Sequence, residues 1–261
     1  MPKIGIIGGS GLYDIPGLII REHRKITTPF GDPSDSYIIG EYSGSEIIFL
    51  PRHGLKHQFP PHKINYRANI WGFKELGVER ILSISAVGGI NPVLKPGIFV
   101  VPDQIVDMTK KRESTFYDGD EVVHIDFTEP FCPELRNIAI KAGEESGIEL
   151  QKSGTYVCVD GPRLETRAEI RIFKKMDIDI VGMTVMPEAT LAREAELCFA
   201  CIAIVTNYAA GITGKKLTTT EVIEVMKGSL IKIESFIKNI IYLIPVNRNC
   251  ACRYALRDAQ M

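Results

Sequence analysis

The sequence predicts an α/β protein in which helices pack on the faces of one sheet. Short apolar runs rich in β-branched residues alternate along the chain with longer segments of helical period, a pattern typical of this class. The 261 residues, 45% of them apolar, are enough to build a sizeable core in one domain. We find no internal repeat and no low-complexity linker, and we expect one domain over residues 1–245 followed by a C-terminal tail over 246–261.

The predicted strands are short apolar runs that end at glycine, proline or polar residues. In chain order they are Lys3–Gly8, Ser36–Glu41, Glu46–Pro51, Arg80–Ala86, Ile98–Pro102, Gly154–Val159, Ile178–Met183 and Phe199–Thr206. The predicted helices have apolar residues at helical spacing. They are Asn65–Leu76, Pro133–Ser146, Glu165–Met176, Glu188–Glu196 and Thr219–Leu243. The last helix has a start signal, because Thr218 and Glu221 have capping-box spacing.

The charge balance excludes some classes of partner. Lysines and arginines number 31 against 32 acidic residues, for a formal net charge of -1, so no overall positive field attracts nucleic acid or an anionic membrane. The first residues of the chain already have the pattern of a strand followed by a turn, and no apolar run reaches membrane-spanning length. We therefore expect a cytoplasmic protein whose partners are small molecules, with any anion site built locally.

The six cysteines fall into two groups. Four of them, at positions 132, 158, 198 and 201, lie in apolar segments where a buried thiol acts as a small hydrophobic group. Cys250 and Cys252 lie in the tail, in a Cys-Ala-Cys motif compatible with an exposed thiol pair, a disulfide or a soft metal site. Metal is the least favoured of the three because no further ligand cluster accompanies them in the sequence, and we predict no metal.

Polar and glycine residues recur where the apolar strands end. Because ligands of open α/β sheets bind at the carboxyl ends of the strands, these segments are expected to share one pocket. The glycine turn at Gly8–Gly11 offers backbone amides and the Ser10 hydroxyl to an anion. The Arg52 guanidinium suits forked contact with phosphate oxygens, and Ser85 and Thr184 add hydroxyls at two other strand ends. The set fits a dianion of phosphate size, although any one of these residues alone would be a turn residue.

Other site chemistries find less support. A dinucleotide fingerprint fails because Asp14 stands where its third glycine should fall, and there is no G-x-S-x-G elbow for a serine hydrolase. His53, beside Arg52, is compatible with a base, a phosphate donor or a structural turn residue. His57 and His62 lie in a proline-rich loop, and we expect them to be structural.

Two further residues have a functional and a structural interpretation. Glu165 stands at the predicted start of a helix in "DGPRLETRAE", where a first-turn carboxylate would interact with the helix dipole. Asn207 ends an apolar strand in "IVTNYAAG", and a buried amide must find hydrogen bonds or cost stability.

Seven motifs together resemble the trimeric purine nucleoside phosphorylase and methylthioadenosine phosphorylase family, over nearly the whole chain to about Leu243. They are "GIIGGSGLYD", "LPRHG", "PPHKINYRANIW", "DQIVDMT", "EPFCPELR", "GPRLETRAE" and "GMTVMPEATLAREAE". The resemblance implies a single three-layer α/β/α domain with a mixed sheet, the nucleoside phosphorylase fold. It also implies a homotrimer or a dimer of trimers that cleaves a purine nucleoside with inorganic phosphate as co-substrate and needs no cofactor.

The resemblance also implies roles for individual residues. By position, the phosphate site would comprise Ser10, Arg52, His53, Ser85, Ala86 and Thr184. Substrate contacts would come from Met183 at the ribose, from Leu164, Asn207 and Ala209, from Thr219 and Ile223 at the 5' substituent, and from His124 of a neighbouring subunit. Because His124 would enter the next subunit's site, oligomerisation would be part of catalysis.

Departures from the methylthioadenosine-specific pattern indicate a different base. Such relatives typically have "TDYD" where this chain has "TNYA", and serine where it has Glu165, so Ala209 replaces an acid. A carboxylate accepts from N1-H of a 6-oxopurine, and the Asn207 amide donates to O6 or N7. We therefore expect Glu165 and Asn207 to be the catalytic pair of a 6-oxopurine phosphorylase that acts on S-methyl-5'-thioinosine, inosine or guanosine. Among members of the family, the motif sequences most resemble those of methylthioinosine phosphorylases. The alternatives are an S-methyl-5'-thioadenosine phosphorylase and a phosphate-independent nucleosidase.

Overall fold

Strand β5 (Arg80–Gly89) lies at the centre of a mixed eleven-stranded sheet in the computed structural model, which describes residues 2–214 and 216–260. The other strands are β1 (Lys3–Gly8), β2 (Ile19–Arg24), β3 (Tyr37–Tyr42), β4 (Ser45–Pro51), β6 (Phe99–Val100), β7 (Gln104–Asp107), β8 (Leu150–Gln151), β9 (Thr155–Cys158), β10 (Ile180–Gly182) and β11 (Cys198–Tyr208). The α-helices are α1 (Tyr66–Glu75), α2 (Pro133–Glu145), α3 (Arg167–Lys175), α4 (Val185–Glu194) and α5 (Thr219–Leu243).

The sheet divides along β5. One edge of β5 pairs in parallel with β11 along its whole length. On the other edge, β1 pairs in parallel with the first residues, as far as Ser83, and β10 pairs antiparallel with the last two, Gly88 and Gly89. The segment from Ile84 to Val87 therefore borders a gap between β1 and β10, and this gap positions the site.

Helices cover both faces, so the predicted three-layer α/β/α domain is confirmed. Helices α1 and α4 pack with one face of the sheet in a core that contains Ile70, Phe73 and Leu191. Helices α2 and α5 pack with each other on the opposite face, around Leu135 and Phe236. A third, smaller cluster lies between α3 and the strands β9 and β10.

All predicted strands and helices are present, with shifts of a few residues at their ends. Helix α3 begins at Arg167 rather than Glu165, because Thr166 is its N-cap and forms a reciprocal capping box with Glu169. Helix α4 begins at Val185, three residues before the predicted start. Helix α5 has the predicted bounds, and Thr218 accepts the expected capping bond from the Glu221 amide at 3.2 Å.

Three strands were not predicted. Strand β2 is exposed along its whole length and β7 is partly so, which removes the apolar signal that marks a half-buried strand. Strand β8 is only two residues long. Within residues 2–214 and 216–260, no helix combines the length and the apolar composition needed to cross a bilayer.

Candidate active site

A cleft of about 360 Å³ opens at the gap between β1 and β10. Its walls include the carboxyl ends of β1, β4, β5, β10 and β11, as expected for a ligand site in an open α/β sheet. Most of the predicted site residues line it. They are Ser10, Arg52, His53, Ser85, Ala86, Leu164, Glu165, Met183, Thr184, Asn207 and Thr219.

Three predicted residues lie outside this cleft. Ile223 is 50% exposed, and Val222 takes its place, because the inward face of α5 passes through Thr219, Val222 and Met226. Ala209 is buried in the apolar cluster beneath α3. His124 lies near the tail, where its amide donates to the Ala259 carbonyl at 2.8 Å, and its predicted place is in the cleft of another subunit.

The guanidinium of Arg52 is fully buried and largely occupied by protein groups. Its Nε and Nη2 donate to the two carboxylate oxygens of Glu188 at 2.5 and 3.0 Å, and Nη2 also donates to the Ser83 hydroxyl at 2.6 Å. Nη1 donates to the Ile84 carbonyl at 3.2 Å. The fork expected to contact phosphate thus faces Glu188 instead, and one Nη1 hydrogen is left for an anion in the cleft.

The glycine turn approaches that same Nη1 atom. A Cβ at Gly9 would lie 2.9 Å from Arg52 Nη1 and 2.8 Å from the Ile84 carbonyl oxygen. A side chain at this position would therefore displace the guanidinium or the backbone of β5. The sequence needs glycine here so that the backbone beside Ser10 can lie directly against the cationic end of the cleft.

Two hydroxyls stand together across the gap. Ser85 Oγ lies 3.5 Å from Thr184 Oγ1 and 3.4 Å from the Tyr156 hydroxyl. Thr184 is the N-cap residue of α4, yet its side chain makes no capping bond. Both side chains are almost fully buried, so their hydrogen-bonding capacity is directed to a ligand, to each other or, for Ser85, to Tyr156.

His53 is held in one tautomer by its backbone partner. Its Nδ1 lies 2.8 Å from the Phe59 carbonyl, which can only accept, so Nδ1 carries the proton. Burial and the neighbouring Arg52 charge lower the pKa of His53 to about 4. The ring is therefore neutral at pH 7, with an unprotonated Nε2 that accepts hydrogen bonds. His57, predicted to be structural, stacks on this ring and also lines the cleft.

The Asn207 amide is fixed by its neighbours in the chain. A bulge in β11 after Val205 places Asn207 opposite Gly88, and its side chain is buried. The Thr206 hydroxyl donates to Asn207 Oδ1 at 3.0 Å, and Nδ2 donates to the Tyr208 carbonyl at 3.0 Å. One Nδ2 hydrogen remains, so the amide offers the cleft a donor.

Glu165 lies at the cleft rather than in the helix. The first-turn carboxylate of α3 is Glu169, whose Oε2 accepts from the Thr166 amide at 2.7 Å, so the helix-dipole interpretation belongs to Glu169. Glu165 stands just before the N-cap, and burial raises its pKa. The arrangement brings a carboxylate acceptor and an amide donor to one cleft from distant parts of the chain.

Comparison with known proteins agrees with this geometry. The family model of the "Phosphorylase superfamily" matches residues 3–241. The chain belongs to this superfamily. The predicted family is confirmed, and so, at the level of the superfamily, is the prediction of an enzyme.

The chain is also similar to named relatives over its full length. It is 55% identical to the "Probable 6-oxopurine nucleoside phosphorylase" of Thermococcus kodakarensis, with 99% of each chain covered. It is 51% identical to the "Probable S-methyl-5'-thioinosine phosphorylase" of Thermodesulfovibrio yellowstonii, covering 98% of this chain and 97% of that one. The solved structure of methylthioadenosine phosphorylase from Schistosoma mansoni in complex with adenine has a TM-score of 0.95 at 35% identity, covering 100% of this chain and 99% of that one.

Sequence reasoning missed two features of the chain. Glu188 was read only as the start of a helix, whereas it is the buried partner of Arg52; a carboxylate among the apolar residues of "VMPEATLA" is the signal that could have found it. The premise that no further ligands accompany Cys250 and Cys252 is wrong, because Cys132 and Cys198 lie beside them. Their wide separation in the sequence hides this cluster from spacing rules.

Proposed function

We propose that this chain is a phosphorylase of 6-oxopurine nucleosides that acts in purine salvage. Its substrates are S-methyl-5'-thioinosine, inosine and guanosine, and its products are the free purine and (methylthio)ribose 1-phosphate. One observation carries the proposal: Glu165 and Asn207 line the same cleft as Arg52, Ser85 and Thr184. The groups that would recognise the purine base and the groups that would bind the anion thus share one cleft.

The base is recognised by hydrogen-bond polarity. A 6-oxopurine presents N1-H as a donor and O6 as an acceptor, whereas a 6-aminopurine presents N1 as an acceptor and its amine as a donor. The Glu165 carboxylate accepts from N1-H, and the remaining Asn207 hydrogen is donated to O6 or N7. Against adenine, the carboxylate faces the N1 lone pair, and such mismatches of buried polar groups reach roughly 10⁴ to 10⁵ in discrimination.

Phosphate binds at the other end of the cleft. Its oxygens accept from Ser10, from Arg52 Nη1 and from the Ser85 and Thr184 hydroxyls, with the backbone at Ala86 alongside. His53 contributes as an acceptor, because its Nε2 is unprotonated and receives the hydrogen of a protonated phosphate oxygen. The buried Glu188 keeps the Arg52 guanidinium aimed and limits the positive charge offered to the anion.

The reaction proceeds by cleavage of the N-glycosidic bond as positive charge builds on the ribosyl carbon. Phosphate stabilises this charge and forms the new bond to C1', while the electrons of the broken glycosidic bond leave with the purine, which gains the proton that hydrogen phosphate gives up. Asn207 stabilises the departing base at N7, and Glu165 holds N1-H; Met183 and Leu164 contact the nucleoside. These contributions are positioning and electrostatic, and no protein nucleophile or cofactor is required.

The remaining parts of the proposal concern the 5' end and the assembly. Thr219 and Val222 of α5 line the cleft and offer a hydroxyl and an apolar surface to the 5' substituent. His124 completes the ribose pocket of a neighbouring subunit in a homotrimer or a dimer of trimers. The protein acts in the cytoplasm.

The test is a set of specificity constants measured in one phosphate buffer for S-methyl-5'-thioinosine, inosine, guanosine and S-methyl-5'-thioadenosine. We expect the three oxopurine substrates to exceed the aminopurine by at least about 10²-fold in kcat/KM. Faster cleavage of S-methyl-5'-thioadenosine would assign the chain to the methylthioadenosine phosphorylases. Base release that continues without phosphate would identify a nucleosidase.

A further inference from the structure

Four cysteine sulfurs meet in the interior, away from the cleft. The Sγ atoms of Cys132, Cys198, Cys250 and Cys252 all lie within 4.8 Å of one another. Cys198 Sγ and Cys250 Sγ are 3.2 Å apart. Three of the four side chains are almost fully buried, and Cys250 is half-buried.

The four residues come from three parts of the chain. Cys132 is the N-cap of α2, Cys198 begins β11, and Cys250 and Cys252 lie where the tail enters a short 3-10 helix, Ala251–Tyr254. All six cysteines of the chain are free thiols in the structure. The cluster therefore joins the tail to the sheet and to α2 through side chains alone.

The surroundings of the cluster favour negatively charged sulfur. The Leu135 amide donates to Cys132 Sγ at 3.4 Å, and the N-terminal end of a helix stabilises a thiolate. Arg193 Nη1 lies 3.8 Å from Cys252 Sγ. A guanidinium and a helix N-terminus thus approach the cluster through two of its members.

A second guanidinium, that of the buried Arg80, points to the same conclusion. Arg80 is the register partner of Cys198 in the adjacent parallel strand, so both side chains leave the sheet on the same face. Arg80 is fully buried, and its Nε and Nη2 have no hydrogen-bond partner among residues 2–214 and 216–260. Its Nη1 donates to Glu79 at 3.4 Å, and Glu134, 3.8 Å from Nη2, already accepts from the Asn249 amide. Because buried donors without a partner cost free energy, the unpaired Nε and Nη2 of Arg80 favour further negative charge on this face of the sheet.

We propose that the four cysteines bind one structural zinc ion as a tetrathiolate. In such a site the sulfurs are about 3.8 Å apart, because each Zn–S bond is about 2.3 Å and the geometry is tetrahedral. The complex carries a net charge of -2, which Arg80 and Arg193 offset. Two disulfides built from the same residues would be neutral and would offer no negative charge to Arg193 or to the Leu135 amide.

The ion has a structural role. All four coordination positions are filled by cysteine, so no position is open to a substrate or to water. Asn207 lies nine residues along β11 from Cys198, or ~30 Å at the rise of an extended strand. The zinc site therefore holds the C-terminal tail against the start of β11, at the end of that strand opposite the cleft. It takes no part in the reaction proposed for the cleft.

The experiment is a measurement of metal and thiol content in the full-length protein, purified with a phosphine reductant and without chelators. We expect one zinc per chain by elemental analysis and six alkylated thiols after unfolding in EDTA. Zinc should be lost in Cys250→Ser/Cys252→Ser and retained in the matched control Cys158→Ser/Cys201→Ser, whose cysteines are buried outside the cluster. Substitution with Co²⁺ should give the absorption of a tetrahedral thiolate complex.

Three outcomes would overturn the proposal. If elemental analysis finds iron and no zinc, the site is not a zinc site. An intact mass about 4 Da below that of the reduced protein, with two thiols alkylated and no metal bound, would show that the four cysteines form two disulfides. Fully reduced thiols that bind neither zinc nor Co²⁺ would show an uncoordinated cluster. Should Cys250→Ser/Cys252→Ser fail to fold, displacement of the metal from the native protein by a mercurial, monitored with a zinc-sensitive dye, gives the same stoichiometry.

Discussion

Arg52 and Glu188 form a two-point ion pair in which neither side chain is exposed to solvent. The residues are 136 positions apart, and the pair joins the end of β4 to the first turns of α4 beneath the cleft. Because removal of one member leaves a buried charge without its counterion, the pair constrains both the fold and the direction of the Arg52 guanidinium. Hydrogen bonds from Ser83 to Glu188 and from Arg52 to Ser83 close the network.

Glu188→Gln is expected to raise the KM for phosphate by about ten-fold or more and to lower the free energy of unfolding by roughly 3 kcal/mol. The amide keeps the shape of the side chain but supplies only one acceptor, so the guanidinium loses its fixed direction. Phosphate saturation curves at constant nucleoside and denaturant unfolding would measure both effects.

Glu194→Gln is the matched control for that variant. Glu194 is also buried on α4, but it accepts from Thr115 and from the Phe116 amide and does not contact Arg52. We expect a loss of stability with the KM for phosphate nearly unchanged. An equal rise in KM for both variants would show that Glu188 acts through helix stability alone.

Asn207→Ala is expected to lower kcat for inosine by about 10² to 10³, the range for removal of one donor to a developing negative charge. Thr206→Val should have a smaller effect, because it removes the hydroxyl that orients the amide but leaves the amide itself. Single-turnover measurements at saturating phosphate would isolate the chemical step. A kcat unchanged in Asn207→Ala would exclude the amide from leaving-group stabilisation.

The strands and the cleft were predictable because their signals are local. Buried strands such as β4 and β11 appear as apolar runs, and polar residues stand where these runs end, Arg52 just after β4 and Asn207 near the end of β11. Since the carboxyl ends of parallel strands meet at one edge of a sheet, the position of the site could be inferred from the ends of the predicted strands. The gap between β1 and β10 that opens this edge depends on pairing and has no local signal.

Contacts between distant residues were not predictable. The Arg52–Glu188 contact and the grouping of Cys132 with Cys250 form only when the chain folds. A charged or thiol side chain in an apolar run does not indicate which distant residue it will contact. The choice between Val222 and Ile223 at the cleft depended on how α5 is rotated about its axis, with Met226 packed near Gly11. A helical period defines a face but not which residue of that face meets a ligand.

The double variant Glu165→Ser/Asn207→Asp tests whether the hydrogen-bond polarity of these two residues determines which purine base is recognised. A hydroxyl can donate to or accept from N1, and a carboxyl at 207 offers acceptors to the amine of adenine. We expect the ratio of kcat/KM for S-methyl-5'-thioinosine over S-methyl-5'-thioadenosine to fall by at least about 10²-fold. Glu169→Gln, which alters the capping box of α3 without reaching the cleft, should leave the ratio unchanged. An unaltered ratio in the double variant would refute the polarity argument.

His53 should make stability depend on pH between about 4 and 6.5. Its pKa is lowered to about 4 in the folded protein, while the unfolded chain titrates near the ordinary value of 6.5. Between these values the unfolded state binds the proton more readily, so the contribution is complete above pH 6.5 and is lost as the pH falls toward 4. The loss reaches about 3 kcal/mol. Denaturant unfolding of His53→Gln should have a correspondingly shallower pH dependence than the wild type, whereas His23→Gln, on the exposed strand β2, should follow the wild type. Parallel curves for His53→Gln and the wild type would show that folding does not shift the pKa of His53.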